Sequence, residues 1–322
     1  MKTILLTNHY PSQPYKIVSA EVPEGFRLLM LEENSQECLE QAAPEADYLL
    51  ASGRVKTTRE VLDKAVNLKM VQRTGVGLDS LDLDALREKG IPLYVNAGVN
   101  AESVAEHTLL LMLACLRRLP EIHRNTANGI WKKQAQGVRT RELSGRTVGL
   151  IGMGSIARTL VGLLKGFGVT VLYYDPFRLS EDRESELGVR YTDIDTLLRQ
   201  SDIVSLHCPL TDGTRHLINA DTLSEMQDGA ILINTARGGL ADTAAVAEAL
   251  KSGKLAFAGL DVHEQEPLAA DNPVLGLDNV ILTPHIGGVT YDSFRAMMHD
   301  AMRNIALYDA GRLEEIAPYQ KQ

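Results

Sequence analysis

The chain has 322 residues, 44% of them hydrophobic and 23% charged, which is typical of a globular protein and long enough for two domains. Its formal net charge of −9 argues against a nucleic-acid or anionic-membrane partner, although a local pocket can still bind a small anionic substrate. The three cysteines stand far apart without a CxxC pair, and every apolar run is too short for a signal peptide or a membrane span. We therefore expect a cytoplasmic protein without disulfides or a metal site.

Short β-rich runs alternate with helical patterns in the first part of the chain. Helical patterns occupy residues 35–42, 58–65 and 81–89. The β-rich runs that they separate predict strands at residues 4–6, 27–30, 48–51, 70–72 and 93–95. This alternation predicts βαβ units and a parallel sheet.

A long apolar helix is predicted over residues 101–119. Apolar residues cover most of its faces, which indicates burial in a core or in a subunit interface. His107 lies on this helix, and we interpret it as a packing or interface histidine.

A second alternating series follows the apolar helix. It predicts strands at residues 147–151, 169–174, 203–206, 230–234, 256–260 and 280–282, which amount to a complete second sheet. The last helical pattern, residues 291–310, is too short to form another domain, and we expect it to pack on the first one.

The strand at 147–151 runs into a glycine-rich turn, "GMGSIA", which opens a helix. Gly152 permits the tight turn, Gly154 lets a pyrophosphate approach the backbone, and Ala157 allows close helix–strand packing. Asp175 ends the next strand, where a carboxylate binds ribose hydroxyls and favours NAD over NADP. Arg178 is the nearby residue that could instead accept a 2′-phosphate. A β–α turn without a ligand is the alternative interpretation.

Three later strands end in polar residues that suit hydride chemistry. Arg237 can hold a substrate carboxylate with its planar guanidinium, and His285 can donate a proton to a carbonyl oxygen. A carboxylate beside an imidazole orients it and raises its pKa, for which Glu266 is the first candidate and Glu264 the second. The alternatives are a loop arginine, a solvated Glu-Pro turn and a capping histidine. We interpret His263 as a structural residue.

The segment "TPHIGG" surrounds the candidate histidine with residues of unusual backbone properties. Pro284, with its fixed φ, is expected to aim His285. Gly287 and Gly288 are expected to leave room for a nicotinamide ring.

Six stretches in one order resemble the D-isomer-specific 2-hydroxyacid dehydrogenase family, in its branch of glyoxylate/hydroxypyruvate reductases and phosphoglycerate dehydrogenases. They are "RTGVGLDSLDLDAL", "VNAGVNAESVAEHTLLLMLA", "GLIGMGSIA", "INTARGGLAD", "GLDVHEQEP" and "ILTPHIGG". "DVHEQEP" departs from the family in carrying His263 where an aromatic residue is usual. The resemblance implies an NAD-dependent enzyme that interconverts a D-2-hydroxy acid and its 2-oxo acid.

The resemblance also implies a fold and a set of site residues. It implies an α/β protein of two doubly wound parallel sheets, with a Rossmann NAD-binding domain (99–284) inserted into a flavodoxin-like substrate domain (1–98 and 285–322). Arg237, Glu266 and His285 take the family's catalytic positions. The helix from 101 and the stretch after it imply a homodimer. The expected cofactor contacts are Thr108, Gly152, Gly154, Ser155, Ile156, Asp175, Cys208, Pro209, Thr214, Thr235, Ala236, Asp261 and Gly287.

On the substrate side, the resemblance places Val76 and Gly77 in the loop that receives the substrate carboxylate. Arg73, Arg54 and Lys56 are candidates for a phosphate or a second carboxylate, and for Arg54 and Lys56 the alternative is a solvated surface position. Two other functions remain open from the sequence: an NAD(H)-sensing binding protein without turnover, and oxidation of formate or phosphite.

Overall fold

The computed structural model describes residues 1–316 and divides the chain into two compact units. The first unit is Met1–Asn100 together with the chain from Tyr291 onward, and the second is Ala101–Thr290. The sequence-based division placed residues 285–290 in the first unit, whereas the structure keeps them in the second. The backbone N–H groups of His285, Ile286 and Gly287 all donate to Asp261, which anchors this segment there.

The first unit is built on a parallel sheet of five strands. Its strand order is β2-β1-β3-β4-β5, which is the flavodoxin-like order. The strands are β1 (Lys2–Leu6), β2 (Phe26–Met30), β3 (Tyr48–Ala51), β4 (Met70–Arg73) and β5 (Leu93–Val95). The helices are α1 (Ser12–Ala20), α2 (Gln36–Ala42), α3 (Arg59–Lys64), α4 (Leu83–Glu88) and a terminal helix, Tyr291–Asp309.

Both faces of this sheet are buried, which explains why its strands read as continuous apolar runs. Ile4 and Leu6 contribute to a cluster with Met298 and Met302 of the terminal helix. Leu5 points to the opposite face and joins the cluster that contains residues of α2, α3 and α4.

The second unit is built on a parallel sheet of seven strands. Its order, β12-β11-β10-β9-β6-β7-β8, runs outward in both directions from the β6–β9 pair, as in a Rossmann fold. The strands are β6 (Thr147–Ile151), β7 (Thr170–Tyr174), β8 (Val189–Tyr191), β9 (Ile203–Leu206), β10 (Ala230–Asn234), β11 (Leu255–Leu260) and β12 (Val280–Leu282). The chain is thus an α/β protein with two doubly wound parallel sheets, as the sequence predicted.

The second unit has eight helices. They are α5 (Ala101–Leu116), α6 (Leu119–Ala127), α7 (Lys133–Gly137), α8 (Ser155–Leu164), α9 (Glu181–Leu187), α10 (Ile194–Gln200), α11 (Ala220–Glu225) and α12 (Thr243–Ser252). The helix predicted over 101–119 is confirmed as far as Leu116, and a second helix begins at Leu119 after Arg118, which takes a left-handed conformation with φ +50°. Leu111, Met112 and Cys115 of α5 are buried in the core that lies on the sheet. Within residues 1–316, no helix has the length and apolar character needed to cross a membrane.

Candidate active site

The glycine-rich turn lies where β6 and β9 are neighbours, the point at which Rossmann sheets bind dinucleotides. Gly152 has φ +100°, and a Cβ on it would stand 2.7 Å from the backbone carbonyl of His207. Only glycine allows the turn after β6 to approach the backbone after β9 this closely.

The N-terminus of α8 opens directly from this turn. Within the described residues, no side chain caps the helix at Gly154, and no heavy atom lies within 4 Å of a Cβ built there. Ser155 is exposed at the first helical position. Uncapped backbone N–H groups and the positive end of the helix dipole, facing open space, fit the pyrophosphate of a dinucleotide.

Asp175 lies beside the turn at the end of β7. Its carboxylate accepts hydrogen bonds from the backbone N–H groups of Met153, at 2.7 Å, and Phe177, at 2.8 Å. Arg178, the candidate for a 2′-phosphate, instead donates to both carboxylate oxygens of Glu184, at 2.8 and 3.1 Å, and lies over the Tyr191 ring. A fixed carboxylate and an arginine bonded to another partner fit the ribose of NAD.

Other expected cofactor residues lie after β9 and β10, in α5 and in the first turn of α8. Cys208 follows β9, and burial raises the pKa of its thiol to about 11, so the thiol stays uncharged. The hydroxyl of Thr214 donates to the carbonyl of Pro209 at 2.7 Å and so shapes that loop. Thr108 is fully buried in α5, and its hydroxyl is 2.9 Å from that of Thr235. Thr108 thus supports the end of β10, while Ile156 is half-buried in the first turn of α8.

Arg237 stands in the loop that follows β10. The Asn234 side chain shapes this loop, because its amide donates to the carbonyl of Arg237 at 2.9 Å and its oxygen accepts from the backbone N–H of Ala236 at 3.1 Å. Arg237 is half-buried, and its guanidinium donates to the carbonyl of Ala236 at 2.7 Å. The planar end of the side chain is thereby oriented by its own loop.

Asp261, at the end of β11, is a buried carboxylate that organises the exit of β12. It accepts from the Thr283 hydroxyl at 2.6 Å and from the backbone N–H groups of Ile286 at 2.9 Å and Gly287 at 2.8 Å. The His107 imidazole is 3.5 Å away. Burial alone would raise the pKa of Asp261, but these hydrogen bonds outweigh burial and hold it well below its usual range.

His285 and Glu266 form the imidazole–carboxylate pair that the sequence predicted as the first choice. Nδ1 of His285 is 2.8 Å from one carboxylate oxygen of Glu266, and the other oxygen accepts from the backbone N–H of His263 at 3.0 Å. Burial tends to raise the pKa of Glu266, yet the hydrogen bonds from His285 and His263 lower it overall. Glu266 is therefore ionised at neutral pH and fixes the orientation of the imidazole.

Asp261 and His107 constrain the residues around His285. His285 has φ +56°, and its backbone N–H donates to the carbonyl of Asp261 at 2.7 Å, so Asp261 holds the backbone of His285 in place. A Cβ on Gly287 would stand 2.9 Å from the Asp261 carboxylate and 3.2 Å from the His107 ring. Packing within the protein therefore also favours glycine at position 287.

Two other polar residues of the same loop have partners of their own. His263 is half-buried, and its Nε2 is 3.0 Å from the carbonyl of Thr283, as expected of a structural histidine. Glu264, the second candidate for the partner of His285, lies instead 2.6 Å from Nε2 of His216.

In the first unit, the expected substrate loop follows β4. Arg73 donates from Nε to the carbonyl of Gly77 at 2.6 Å and from Nη1 to the carbonyl of Ala51 at 2.9 Å. Val76 between them has 47% of its surface exposed. Arg73 thus holds together the loops after β3 and β4.

Sequence reasoning missed two features of the site. A Cβ on Gly238 would stand 2.0 Å from the backbone of His263, so the loops after β10 and β11 are in direct backbone contact. His107 was interpreted as a packing or interface residue, and its Nε2 is 3.1 Å from the Thr283 hydroxyl, within the Asp261 network. The two adjacent glycines of "ARGG" indicate the close approach of the two loops. The contact between His107 and Thr283 has no signal in a single sequence.

Comparison with known proteins agrees with this geometry. The sequence model of the D-isomer specific 2-hydroxyacid dehydrogenase NAD-binding domain matches residues 109–287. The hydroxypyruvate reductase of Thermotoga maritima is 42% identical over 78% of this chain and 81% of its own length. The D-3-phosphoglycerate dehydrogenase of Methanocaldococcus jannaschii is 43% identical over 92% of this chain, which spans only 55% of that relative.

A solved structure agrees over nearly the whole chain. The D-lactate dehydrogenase of Aquifex aeolicus, crystallised with NAD and lactic acid, superposes with a TM-score of 0.86 at 32% identity. The match covers 98% of this chain and 97% of that one. The chain belongs to the D-isomer specific 2-hydroxyacid dehydrogenase family and is an NAD-dependent oxidoreductase.

Proposed function

We propose that the protein reduces a small 2-oxo acid, with hydroxypyruvate first among the candidates, and that Arg237, Glu266 and His285 carry the reaction. The observation that supports this most directly is the Glu266–His285 pair, joined at 2.8 Å at the carboxyl ends of β11 and β12. Arg237 follows β10, the next strand of the same sheet. Ligands of open parallel sheets bind at this edge.

The proposed proton transfer uses His285. Reduction of a ketone leaves negative charge on its oxygen, so an acid must supply a proton there. Because Nδ1 of His285 bonds to Glu266, Nε2 is the atom that gives the proton to the carbonyl oxygen. In the reverse direction the same nitrogen takes the proton of the substrate hydroxyl.

Arg237 is proposed to bind the substrate rather than to move a proton. A guanidinium stays charged at any relevant pH and matches a carboxylate with two parallel hydrogen bonds. The bond from Arg237 to the Ala236 carbonyl orients the guanidinium, which is proposed to bind the carboxylate of a 2-oxo acid. This contact would hold the adjacent carbonyl carbon in a fixed position relative to the hydride donor. Such orientation of the reacting groups lowers the reaction barrier.

The glycine-rich turn, the uncapped start of α8 and Asp175 are proposed to hold the pyrophosphate and the ribose of NAD. The nicotinamide supplies or accepts the hydride when the dinucleotide is bound. Asp261 would keep the segment that carries His285 rigid. Thr108, Ser155, Ile156, Cys208, Pro209, Thr214, Thr235, Ala236 and Gly287 remain the further proposed contacts or supports.

Hydroxypyruvate is taken as the first candidate because the hydroxypyruvate reductase of Thermotoga maritima is 42% identical over 78% of this chain. Oxidation of formate is disfavoured on chemical grounds. Formate loses a hydride to become carbon dioxide without any hydroxyl proton to move, so the ionised Glu266 beside His285 would have no task.

We assign the first unit to substrate binding, with Arg73 arranging the loop of Val76 and Gly77 that would receive the substrate.

A homodimer is proposed through α5, α6 and α7. Every residue of α6 is at least partly exposed, and Trp131 and Val138 beside α7 are 81% and 74% exposed. Large apolar side chains concentrated in one stretch are typical of an interface. The free cysteines of the described chain fit the reducing cytoplasm.

The proposal is tested by mixing the purified protein with NADH, and separately with NADPH, and following cofactor absorbance over a panel of 2-oxo acids. The panel contains hydroxypyruvate, glyoxylate, pyruvate, phosphohydroxypyruvate and bulkier acids, with formate and NAD as a separate reaction. We expect NADH oxidation with hydroxypyruvate and its loss in Arg237→Ala. Binding of NADH without reduction of any acid would contradict the assignment and favour a sensing role.

A further inference from the structure

The loop after β11 carries two glutamates, and each of them meets a histidine. Glu266 bonds to His285 at 2.8 Å, and Glu264 bonds to Nε2 of His216 at 2.6 Å. Both histidines have a left-handed backbone, with φ +56° for His285 and +49° for His216. Within residues 1–316, Arg118 is the one other non-glycine residue with positive φ. Such a backbone is unfavourable for a side chain of this size and persists where the surroundings enforce it.

His216 is bonded to the loop that carries Arg237. Its backbone N–H donates to the carbonyl of Gly239 at 2.9 Å, and its own carbonyl accepts from the Asn219 side chain at 3.0 Å. Because its imidazole meets Glu264, His216 joins the loop after β10 to the loop after β11.

Glu264 is fixed at its other end by a helix. Its second carboxylate oxygen accepts from the backbone N–H of Thr243 at 3.0 Å, in the first turn of α12. Burial tends to raise the pKa of Glu264, but the hydrogen bonds from Thr243 and His216 lower it overall. Glu264 thus connects three parts of the second unit. These are its own loop, the Arg237 loop, which it reaches through His216, and α12.

The two loops also touch directly beside Glu264. A Cβ on Gly238 would stand 2.0 Å from the carbonyl carbon of His263 and 2.4 Å from the backbone nitrogen of Glu264. Gly238 is adjacent to Arg237, and the N–H of His263 is the one that bonds Glu266. A shift of Glu264 would therefore change the position of Arg237 relative to Glu266.

We propose that Glu264 and His216 are a positioning pair, which sets the placement of Arg237 relative to the Glu266–His285 pair. The inference rests on the catalytic roles proposed above for these three residues. Glu264 and His216 are 33% and 39% exposed at their side chains, and even an ion pair at such positions contributes little to global stability. Displacement of a catalytic group by about 1 Å, in contrast, can lower the rate on the order of 100-fold. The pair should therefore affect turnover far more than unfolding.

The test compares Glu264→Ala, His216→Asn and the double variant with the wild type, using NADH and hydroxypyruvate. Asparagine tolerates the left-handed backbone of residue 216 but is too short to reach Glu264. Each single variant should lower kcat/KM for the oxo acid by about 10- to 100-fold, through both kcat and KM, with unchanged NADH affinity and unfolding temperature. The double variant should lose no more than the worse single variant, because both remove the same contact.

Two further variants sharpen the result. Glu264→Gln keeps an acceptor for Thr243 and a partner for His216, and it should restore most of the rate lost in Glu264→Ala. Gln265→Ala changes an exposed residue between the two glutamates and should behave as the wild type. If Glu264→Ala does not fold, His216→Asn and Glu264→Gln carry the same comparison.

Wild-type kcat and KM in the single variants, or losses that multiply in the double variant, would overturn the positioning role. So would a rate that falls only in proportion to the folded fraction. His285→Ala separates this inference from the proposed function. An inactive His285→Ala beside a fully active Glu264→Ala refutes the positioning pair alone, whereas an active His285→Ala refutes the catalytic assignment itself.

Discussion

Replacement of Asp261 by asparagine tests how the segment that carries His285 is held. The Asp261 carboxylate accepts three hydrogen bonds, from the Thr283 hydroxyl and from the backbone N–H groups of Ile286 and Gly287. Asparagine keeps the shape but offers one acceptor oxygen. If that oxygen replaces Oδ1, the NH2 group of the asparagine faces the buried N–H of Gly287. These two groups are both donors, so neither has an acceptor.

The magnitude follows from these contacts. A hydrogen bond to a charged group contributes about 1.5–3 kcal/mol, and an unsatisfied buried N–H adds a further desolvation penalty of similar size. We expect Asp261→Asn to lower the unfolding free energy of the second unit by about 2–4 kcal/mol. For a unit of this size that corresponds to a decrease in Tm of roughly 5–15 °C.

The assay is thermal unfolding followed by circular dichroism, with kcat for hydroxypyruvate measured on the same preparations. Asp271→Asn is the matched control, because Asp271 is an exposed aspartate further along the chain after β11. A Tm for Asp261→Asn within about 1 °C of the control would refute the assigned network.

Three more predictions concern the turns and the catalytic pair. Gly152→Ala should weaken NADH binding at least about tenfold, measured by fluorescence titration, because its Cβ would lie 2.7 Å from the His207 backbone; unchanged binding would contradict the close approach. Gly238→Ala should lower both kcat/KM and Tm, since its Cβ would lie 2.0 Å from the His263 backbone, and wild-type values for both would contradict that contact. The pKa of Glu266 is lower in the folded protein than in the unfolded chain, so ionised Glu266 stabilises the fold. This stabilisation is complete above the unfolded pKa of about 4.3 and is lost as the pH falls through the folded pKa. The difference in unfolding free energy between the wild type and Glu266→Gln should be largest at neutral pH; a difference that grows on acidification would contradict the pair.

The sequence predicted the elements that depend on strand direction and local geometry. In a parallel sheet all carboxyl ends lie at one edge, so polar residues that follow consecutive strands can be grouped from their order along the chain. This reasoning selected Arg237, Glu266 and His285. The glycine-rich turn and Asp175 were predicted by their spacing, which the βαβ unit fixes.

Contacts between distant parts of the chain could not be predicted in the same way. His107 and Thr283 are separated by 176 residues along the chain, and only the packing of α5 on the sheet brings them together. Glu264 and Glu266 are chemically identical and two residues apart, so the path of their loop decides which one meets His285.

Local structure was also missed where one residue overrides a strong pattern. The helix predicted to reach residue 119 ends at Leu116, because the left-handed backbone of Arg118 cannot continue it. Helix α1 contains Pro14, which is tolerated because it lies in the first turn. Strand β8 has three residues at the edge of the sheet and too short a pattern to predict.

The most direct test of the central claim is the steady-state rate of hydroxypyruvate reduction by NADH in the wild type, His285→Ala and Glu266→Gln. The Glu266–His285 pair predicts a loss of about 10²- to 10⁴-fold in kcat for His285→Ala, the usual contribution of general acid catalysis. Glu266→Gln should lose less, because the imidazole remains but its ionised partner does not. A His285→Ala variant that is folded, binds NADH and turns over at the wild-type rate would contradict the account.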